Sequence, residues 1–370
     1  MRFISAKTLK PGMVMASTVY NVSGKPLIKS GVSVTARMIE KLVELNIQYV
    51  YIEDGLSAGI EASDSVPVKV RQDAVKKIDS TFTQLEKNSV SNNLVALEQS
   101  AASFKEVIDT ILREIKGSKD LLTLLTDVFT YDSYVFHHSF NVTLYTLATG
   151  IELGMPAKQL DSLGLGAIMH DIGKMKVPEE ILMKPGKLTF EEFKEVEKHT
   201  EYGFEILRQL HNVSLLVAHC AFQHHERLDG SGYPRGIKGD EIHPFAKIIA
   251  VADVFDALTS NRVYRDAMLP HEALEVLYAG SGTLFDASVI QAFRKSVAIY
   301  PNGMVVVLSD GRRGIVERQN KGLTHRPVLR IIAEAEEERT VPYTLDLGVS
   351  LDVTITGFDP EFESKLMEVN

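Results

Sequence analysis

A histidine, an aspartate and a lysine interrupt a segment that otherwise has the pattern of a buried helical face. The three residues, His170, Asp171 and Lys174, lie in AIMHDIGKM. His170 and Lys174 continue the three- and four-residue spacing of one helical face, whose apolar residues are Leu160, Leu163 and Ala167. A buried imidazole or ammonium group needs a partner, and a lone histidine here is more often a hydrogen-bonded core residue than a metal ligand. This segment alone leaves both interpretations open.

Five segments place metal-competent side chains on predicted helices or at helix ends. Together they supply five histidines and two carboxylates. The residues are His138 in HHSFN, His170 and Asp171 in HDIGK, His199, His224 and His225 in CAFQHHERLDG, and Asp253 in IIAVADVFDALT. A capping box formed by Thr189 and Glu192 opens the helix that is predicted to carry His199.

Taken together, these side chains favour metal ions over separate structural roles. Each one alone could be a solvated histidine or a hydrogen bond between helices. A fold would then have to satisfy every buried imidazole and carboxylate separately, whereas metal cations would satisfy all of them at once. Seven nitrogen and oxygen ligands exceed the four of a structural zinc site. The number fits two metal ions that share a bridging carboxylate and keep open positions for water and substrate.

The composition predicts a globular protein of a reducing compartment. Hydrophobic residues make up 45% of the 370 residues and charged residues 24%, which is typical of folded proteins. The single cysteine, Cys220, excludes an internal disulfide and is predicted to be a small buried hydrophobe. No segment has the length and apolarity of a signal peptide or of a membrane span, so we expect a cytoplasmic protein.

Charge and histidine distribution narrow the class of ligand. The formal net charge of −9 argues against binding to a nucleic-acid polymer, which favours a basic surface. Ten of the 11 histidines lie between His137 and His271. One domain is therefore predicted to handle metal ions or protons.

The chain is predicted to have four regions. Residues 1–55 are a small β/α accessory domain, with strands in MVMASTVY and QYVYIE and a helix capped by Thr35. Residues 56–119 are a linker followed by a helical hairpin or coiled-coil segment. Residues 120–300 carry the histidines and a helical pattern, and residues 301–370 are a small β-rich unit with strands in MVVVL, GIVE and PVLRII. The predicted fold class is mainly α, with small β-containing units at both ends.

The second helix of the hairpin segment has a heptad-like apolar seam. Apolar residues alternate at three- and four-residue spacing between residues 94 and 115. They are Leu94, Leu97, Ala101, Phe104, Ile108, Ile111 and Ile115. The partner of this seam is either the preceding helix, folded back as a hairpin, or the same helix of a second subunit in a homodimer, and both arrangements can coexist.

The order of the motifs resembles a known family. HDIGK, HHERLDGSGYP and ADVFDALTSNRVYR resemble the HD-GYP family, bacterial phosphodiesterases of the HD metal-dependent phosphohydrolase superfamily that hydrolyse the second messenger cyclic di-GMP. The resemblance covers residues 120–300, and residues 1–55 also resemble a small domain often found ahead of HD-GYP domains. It implies an all-helical core and cyclic di-GMP as substrate. It also implies two divalent transition-metal ions, for which iron or manganese is favoured over zinc or cobalt.

The resemblance also implies roles for single residues. Asp171 would bridge the two ions, and Lys174 would lie near the scissile phosphate. The implied metal ligands are His138, His170, Asp171, His199, His224, His225 and Asp253. The implied substrate-binding residues are Arg262, Arg265, Gly232 and Tyr233.

Position 134 departs from part of the family. Some members with three metals carry a glutamate one helical turn before the first histidine, where this chain has Tyr134. A phenol is a poorer ligand than a carboxylate for a hard cation at neutral pH. We therefore expect a two-metal site and accumulation of linear pGpG.

Two other functions stay open at this point. One is an HD phosphohydrolase that acts on another nucleotide, and the other is a signalling adaptor that binds cyclic di-GMP or a partner protein without turnover. The intact set of ligands and the intact GYP loop, formed by Gly232, Tyr233 and Pro234, argue against the adaptor.

Overall fold

The structure is a computed structural model in two compact units. It describes residues 1–20, 25–45, 47–61, 66–87, 94–117, 134–184, 186–211, 213–260, 268–320, 322–335 and 341–362. The described residues before 66 and after 296 form one unit, called here the terminal unit. The described residues from 66 to 296 form the other, called the helical unit.

The N-terminal part of the terminal unit contains two small sheets and one helix. The strands are β1 Arg2–Ser5, β2 Val14–Met15, β3 Val19–Tyr20, β4 Pro26–Ile28 and β5 Tyr49–Glu53. An antiparallel sheet has the strand order β1-β5-β2, and β3 pairs with β4 in a second, antiparallel sheet. Helix α1, Ala36–Glu44, begins after Thr35, whose hydroxyl accepts a hydrogen bond from the backbone N–H of Met38. Thr35 is therefore the helix cap, as predicted.

The C-terminal part of the terminal unit is a five-stranded antiparallel sheet. The strands lie in the order β10-β6-β7-β8-β9. Their bounds are β6 Val305–Leu308, β7 Arg313–Arg318, β8 Val328–Ala333, β9 Tyr343–Asp346 and β10 Ile355–Phe358. The strands predicted in MVVVL, GIVE and PVLRII are confirmed by β6, β7 and β8, because runs of β-branched residues lie between turns there.

The two ends of the chain share one core, which the sequence analysis does not predict. The backbone N–H of Phe3 donates to the carbonyl oxygen of Gly303 over 2.9 Å. Ile60 is buried in a cluster with Val305, Ile315 and Ile332. Residues 54–61, whose composition suggests a linker, are therefore packed, because the partners that bury Ile60 come from the other end of the chain.

Two long helices form a hairpin at the start of the helical unit. They are α2, Val68–Lys87, and α3, Leu94–Gly117. The ring centroids of Phe82 and Phe104 lie 5.3 Å apart between the two helices. Five of the described side chains in the predicted seam are buried within this single chain: Leu97, Ala101, Phe104, Ile108 and Ile111. Burial of this seam therefore needs no second subunit.

The other helices of this unit build a largely apolar core. They are α4 Tyr134–Glu152, α5 Ala157–Ile168, α6 Glu179–Leu182, α7 Phe190–Glu197, α8 His199–Leu207, α9 Leu215–Gln223, α10 Pro244–Thr259, α11 Pro270–Ala279 and α12 Ala287–Ser296. Helix α4 packs against α5, α10 and α12, and α8 packs against α9. Cys220 is buried and free, as predicted. The predicted fold class, mainly α with small sheets at both ends, is confirmed.

Within the described residues, no helix combines the length and the apolarity needed to cross a membrane.

Two helices are broken where the sequence pattern predicts continuity. Helix α5 ends at Ile168 and is followed by a short 3-10 helix, Ile172–Lys176, so the prediction that His170 and Lys174 continue one helical stripe is wrong. The capping box at Thr189 is present, but the helix that it opens ends at Glu197, and His199 begins α8. The prediction that the capped helix carries His199 is also wrong, because spacing does not show where a helix is interrupted.

Candidate metal centre

The end of α5 brings two neighbouring residues to one site. The backbone N–H of Met169 donates to the carbonyl oxygens of Leu165 and Ala167 and ends the helix. Consecutive side chains on an α-helix project about 100° apart. In the turn after α5, His170 Nε2 instead lies 3.3 Å from Asp171 Oδ2, and both side chains are buried. The break in the helix is what allows both side chains to face the same site.

Close packing behind this turn requires a glycine. A Cβ atom on Gly173 would lie 1.8 Å from the carbonyl oxygen of His199 and 2.5 Å from the backbone nitrogen of Gly203. A larger residue would push the 3-10 helix away from α8 and separate Asp171 from His199. The glycine of HDIGK is therefore explained by packing rather than by chemistry.

Helices α4 and α10 bring His138 and Asp253 together. His138 Nε2 lies 3.3 Å from Asp253 Oδ1 and 3.5 Å from Asp171 Oδ2. On the other side of the ring, His138 Nδ1 donates to Asp256 Oδ2 over 2.7 Å. Asn141 donates to the second oxygen of Asp256 over 2.8 Å. The buried carboxylate of Asp256 thus fixes the imidazole and directs Nε2 towards the site.

Backbone carbonyls orient three further imidazoles. In each case Nδ1 donates to the carbonyl oxygen three residues earlier. The pairs are His170 with Ala167 at 2.6 Å, His199 with Val196 at 2.5 Å and His224 with Ala221 at 2.9 Å. Because a carbonyl oxygen only accepts hydrogen bonds, Nδ1 carries the proton and Nε2 keeps its lone pair for a ligand.

The candidate ligands form two groups that share Asp171. The ligand atoms of each group lie within 4.8 Å of one another; the groups are Asp171, His199, His224 and His225, and His138, His170 and Asp171. Asp253 lies between them, with Oδ1 facing His138 and Oδ2 at 3.9 Å from His225 Nδ1. The structure therefore brings all seven predicted ligands together around one carboxylate.

Two buried atoms at the centre of these groups need a partner. His170 Nε2 and Asp171 Oδ1 have no hydrogen-bond partner among the described residues. A buried nitrogen or oxygen without a partner is costly and calls for an explanation. A divalent transition-metal ion fits, because it accepts both imidazole nitrogen and carboxylate oxygen as ligands.

Burial keeps the histidines in the form that binds metal. Desolvation lowers the pKa of His199 to about 4, and it lowers the pKa of His224 and of His225 well below the ordinary value. These rings are therefore neutral at pH 7, as a metal ligand must be. Burial alone would raise the pKa of Asp171, but the neighbouring Lys174 ammonium group acts in the opposite direction, and that pKa lies well below its usual range.

Lys174 and the GYP loop lie at the open side of the centre. The ammonium group of Lys174 donates to Asp171 Oδ2 over 2.6 Å, and its side chain is partly exposed. Tyr233 stacks on His225 with ring centroids 4.6 Å apart. A Cβ atom on Gly232 would lie 2.4 Å from the carbonyl oxygen of His225, so the loop can approach this closely only with glycine there.

Two supporting carboxylates are missed by sequence reasoning. Asp256 orients His138, and the buried Glu226 accepts hydrogen bonds from the backbone N–H groups of Arg235 and Ile237, at 2.9 and 3.2 Å. Glu226 thereby fixes the GYP loop. The signals are present in the sequence, since Asp256 follows Asp253 by three residues on one helical face and Glu226 directly follows the paired histidines.

Three predicted residues cannot be placed in this geometry. Arg262 and Arg265 fall in residues 261–267, which lie outside the described residues. The side chain of Tyr134 also lies outside them.

Comparisons with known proteins show similarity to HD domain proteins over part of the chain. Residues 120–289 match the family model described as HD domain. The chain is 36% identical over 261 residues to a cyclic di-GMP phosphodiesterase of Pseudomonas aeruginosa, a match that covers 70% of this chain and 63% of the relative. It is 38% identical over 208 residues to a protein of Thermotoga maritima named cyclic di-GMP phosphodiesterase, a match that covers 56% of this chain and 55% of that protein. It is 40% identical over 169 residues to a 3'3'-cGAMP-specific phosphodiesterase of Vibrio cholerae, a match that covers 46% of this chain and 36% of that protein.

The matched region contains the candidate metal centre. This chain spans less than two thirds of the length of each of these relatives. The HD domain and the cluster of histidines and aspartates together indicate that the protein binds divalent metal. Residues 120–289 therefore match the HD domain family, and the HDIGK, HHE and DGSGYP motifs within them resemble those of the HD-GYP group.

Proposed function

We propose that this protein is a metal-dependent phosphodiesterase that hydrolyses cyclic di-GMP to linear pGpG, to GMP or to both, and so lowers this bacterial second messenger. The observation that carries the proposal is the position of Asp171. This residue belongs to both groups of candidate ligands and accepts a hydrogen bond from the ammonium group of Lys174. Two metal ions and a cation beside a phosphodiester are the parts that in-line hydrolysis needs. The names of the Pseudomonas and Thermotoga relatives support the choice of substrate.

Two divalent ions would be held on the two sides of Asp171. One would be bound by His138, His170 and Asp171, the other by Asp171, His199, His224 and His225, with Asp253 available to both. Mixed nitrogen and oxygen ligands suit iron or manganese, with zinc and cobalt as alternatives. The chemistry that such ions supply is a lowered pKa of water and Lewis-acid stabilisation of the phosphoryl oxygens.

The residues of the chain would position and neutralise the substrate. The Lys174 ammonium group would stabilise negative charge on the scissile phosphate as the bond to the leaving oxygen breaks. Its hydrogen bond to Asp171 keeps it at the edge of the metal centre. Tyr233 and Gly232 would line the substrate side, and Arg262 and Arg265, by analogy with the family motif, would hold the phosphates.

Tyr134 bears on the extent of the reaction. If no third ion binds beside His138, the linear product should leave before a second cleavage, and pGpG should accumulate. Tyr134→Glu should add metal and increase GMP relative to pGpG. A wild-type protein that already holds three ions would contradict the two-metal proposal. A Tyr134→Glu variant that is destabilised and gains no metal would show that Tyr134 is a packing residue.

A second candidate function keeps the chemistry and changes the nucleotide. The Vibrio relative named 3'3'-cGAMP-specific is 40% identical over the matched residues, so cyclic dinucleotides with adenine are the natural competitors. An adaptor that binds without turnover is less well supported, because the full ligand set and Lys174 are in place around Asp171.

One assay separates these candidates. Cyclic di-GMP and 3'3'-cGAMP are added in parallel to protein loaded with iron or manganese, and the products are resolved by chromatography. We expect faster turnover of cyclic di-GMP, and no product with Asp171→Ala. Faster turnover of 3'3'-cGAMP would favour the second candidate, and tight binding of cyclic di-GMP without product would favour the adaptor.

A cytoplasmic location completes the proposal, because a reducing compartment fits the free, buried Cys220. A homodimer through residues 94–115 is not included, since the described seam side chains are mostly buried within one chain.

A further inference from the structure

A series of aromatic rings leads from the candidate metal centre to solvent. Tyr233 stacks on His225, with ring planes inclined by 27°. Tyr233 also contacts the ring of Phe193 on α7 edge to face, with centroids 6.2 Å apart. The three rings connect a candidate metal ligand to the protein surface.

Exposure is lowest at the end of this series near the metal centre and highest at Phe193. The side chain of His224 is fully buried, that of His225 is 18% exposed, and Tyr233 is half-buried. Phe193 is 44% exposed. A substrate reaches buried metal ligands only from a side where exposure increases outward, and these rings mark such a side.

Polar contacts that do not involve the Phe193 ring anchor the start of helix α7. Glu192 accepts a hydrogen bond from the backbone N–H of Thr189 over 2.7 Å, and the ammonium group of Lys184 binds both of its carboxylate oxygens, at 2.7 and 2.6 Å. No residue of α7 is buried. The contact with Tyr233 leaves much of the Phe193 ring exposed, and a ligand that covers the ring would remove apolar surface from water.

We propose that Phe193 and Tyr233 form a stacking subsite for one nucleobase of the substrate, with the scissile phosphate at the metal centre. This inference rests on the proposed function. A planar base has faces that stack on aromatic side chains regardless of base identity. A protein partner in the same place would block the metal centre, whereas a cyclic dinucleotide carries a base and a phosphodiester within one small molecule. The subsite gives affinity for nucleotides and no choice between guanine and adenine.

The chain offers a matched control one helical turn away. Phe190 is 70% exposed and lies on the same helix. Its ring is approached by the ammonium group of Lys194 at 5.6 Å from the centroid. The described ring contacts join Phe193, and not Phe190, to Tyr233.

The test is steady-state kinetics with cyclic di-GMP on metal-loaded protein. Phe193→Ala should raise KM roughly 5- to 150-fold, the effect of losing one base-stacking ring. The value of kcat, the metal content and the melting temperature should change little, because the loss is one of substrate binding. Phe193→Tyr should keep the wild-type KM, Phe193→Leu should resemble Phe193→Ala, and Phe190→Ala should resemble wild type.

The outcomes distinguish this inference from the proposed function. If wild-type protein turns over cyclic di-GMP and Phe193→Ala has an unchanged KM, the subsite is disproved and the activity stands. An equal rise of KM in Phe190→Ala, or a wild-type KM in Phe193→Leu, would also overturn it, since the effect would then not come from stacking at position 193. If wild-type protein cleaves no cyclic dinucleotide, the proposed function itself fails.

Discussion

The terminal unit and the helical unit each bury a group of ionisable side chains, but in the helical unit two atoms at the centre of the group have no hydrogen-bond partner among the described residues. In the terminal unit, Arg2 Nε lies 2.6 Å from Asp54 Oδ2, and both side chains are buried. Arg2 also donates to the carbonyl oxygen of Phe362 over 2.6 Å. In the helical unit, His170 Nε2 and Asp171 Oδ1 are just as buried, and the described chain gives them no hydrogen-bond partner.

This difference separates a structural ion pair from an incomplete site. Removing one partner of a satisfied buried pair leaves an uncompensated charge and costs stability. Removing a side chain whose atoms lack a protein partner should instead weaken ligand binding. The residues of such functional sites often lower the stability of the protein. The same kind of substitution should therefore give opposite signatures in the two units.

The largest effect is expected for Asp171→Ala. Because Asp171 belongs to both groups of ligands, the variant should lose most of both metal and activity. His170→Ala should lose mainly the metal of its own group. Elemental analysis of anaerobically purified protein measures both, with the exposed Asp240 changed to Ala as control. Full activity in metal-free protein would contradict the assignment.

Arg2→Met should have the opposite signature. Asp54 would stay buried without its cation, which costs about 3–5 kcal/mol of unfolding free energy. Metal content should stay at the wild-type value. Urea denaturation measures the loss, and a second replacement, Asp54→Leu, should recover much of it because two apolar side chains replace the pair. A double variant no more stable than Arg2→Met would show that Asp54 acts mainly through its contacts with Ser57, whose backbone N–H and hydroxyl group donate to it at 2.9 and 2.7 Å.

The sequence predicts the ligands of the metal centre better than it predicts the backbone that presents them. Side-chain type and motif order point to His138, His199 and Asp253, because metal binding depends on donor atoms that the sequence names directly. The breaks after Ile168 and at Lys198 leave the apolar spacing unchanged, so periodicity misses them.

Long-range packing is the other limit. The burial of Ile60 by residues of β6, β7 and β8 depends on strands from the opposite end of the chain, and no local pattern encodes that contact. Asp256 is a different case, because its spacing from Asp253 is visible, but a carboxylate that only orients His138 has no motif of its own.

Asp256→Asn sharpens the comparison within the helical unit. The carboxylate of Asp256 is satisfied by His138 and Asn141, like the pair in the terminal unit, yet it acts on a candidate ligand. Loss of such an outer partner typically weakens metal affinity about 10- to 100-fold. Metal titration should show the loss only at the group that contains His138, with a smaller change in the melting temperature of metal-free protein. Equal weakening of both groups would mean that Asp256 supports the fold rather than one ring.

The smallest effects are expected for an ion pair that water already satisfies. In α1, Lys41 Nζ lies 3.0 Å from Glu44 Oε2, and the side chains are 62% and 65% exposed. Such a pair contributes roughly 0.2–0.5 kcal/mol to the unfolding free energy.

Both residues lie in the last helical turn, where the helix dipole favours the lysine and disfavours the glutamate by about 0.3–1 kcal/mol each. In Glu44→Gln the two effects oppose each other, so the unfolding free energy should change by between a loss of about 0.2 and a gain of about 0.8 kcal/mol. In Lys41→Gln they add to a loss of about 0.5–1.5 kcal/mol. Urea denaturation at low salt measures the difference, which should shrink at about 1 M salt, where charges are screened beyond about 3 Å. Equal losses in both variants would show that the pair outweighs the dipole.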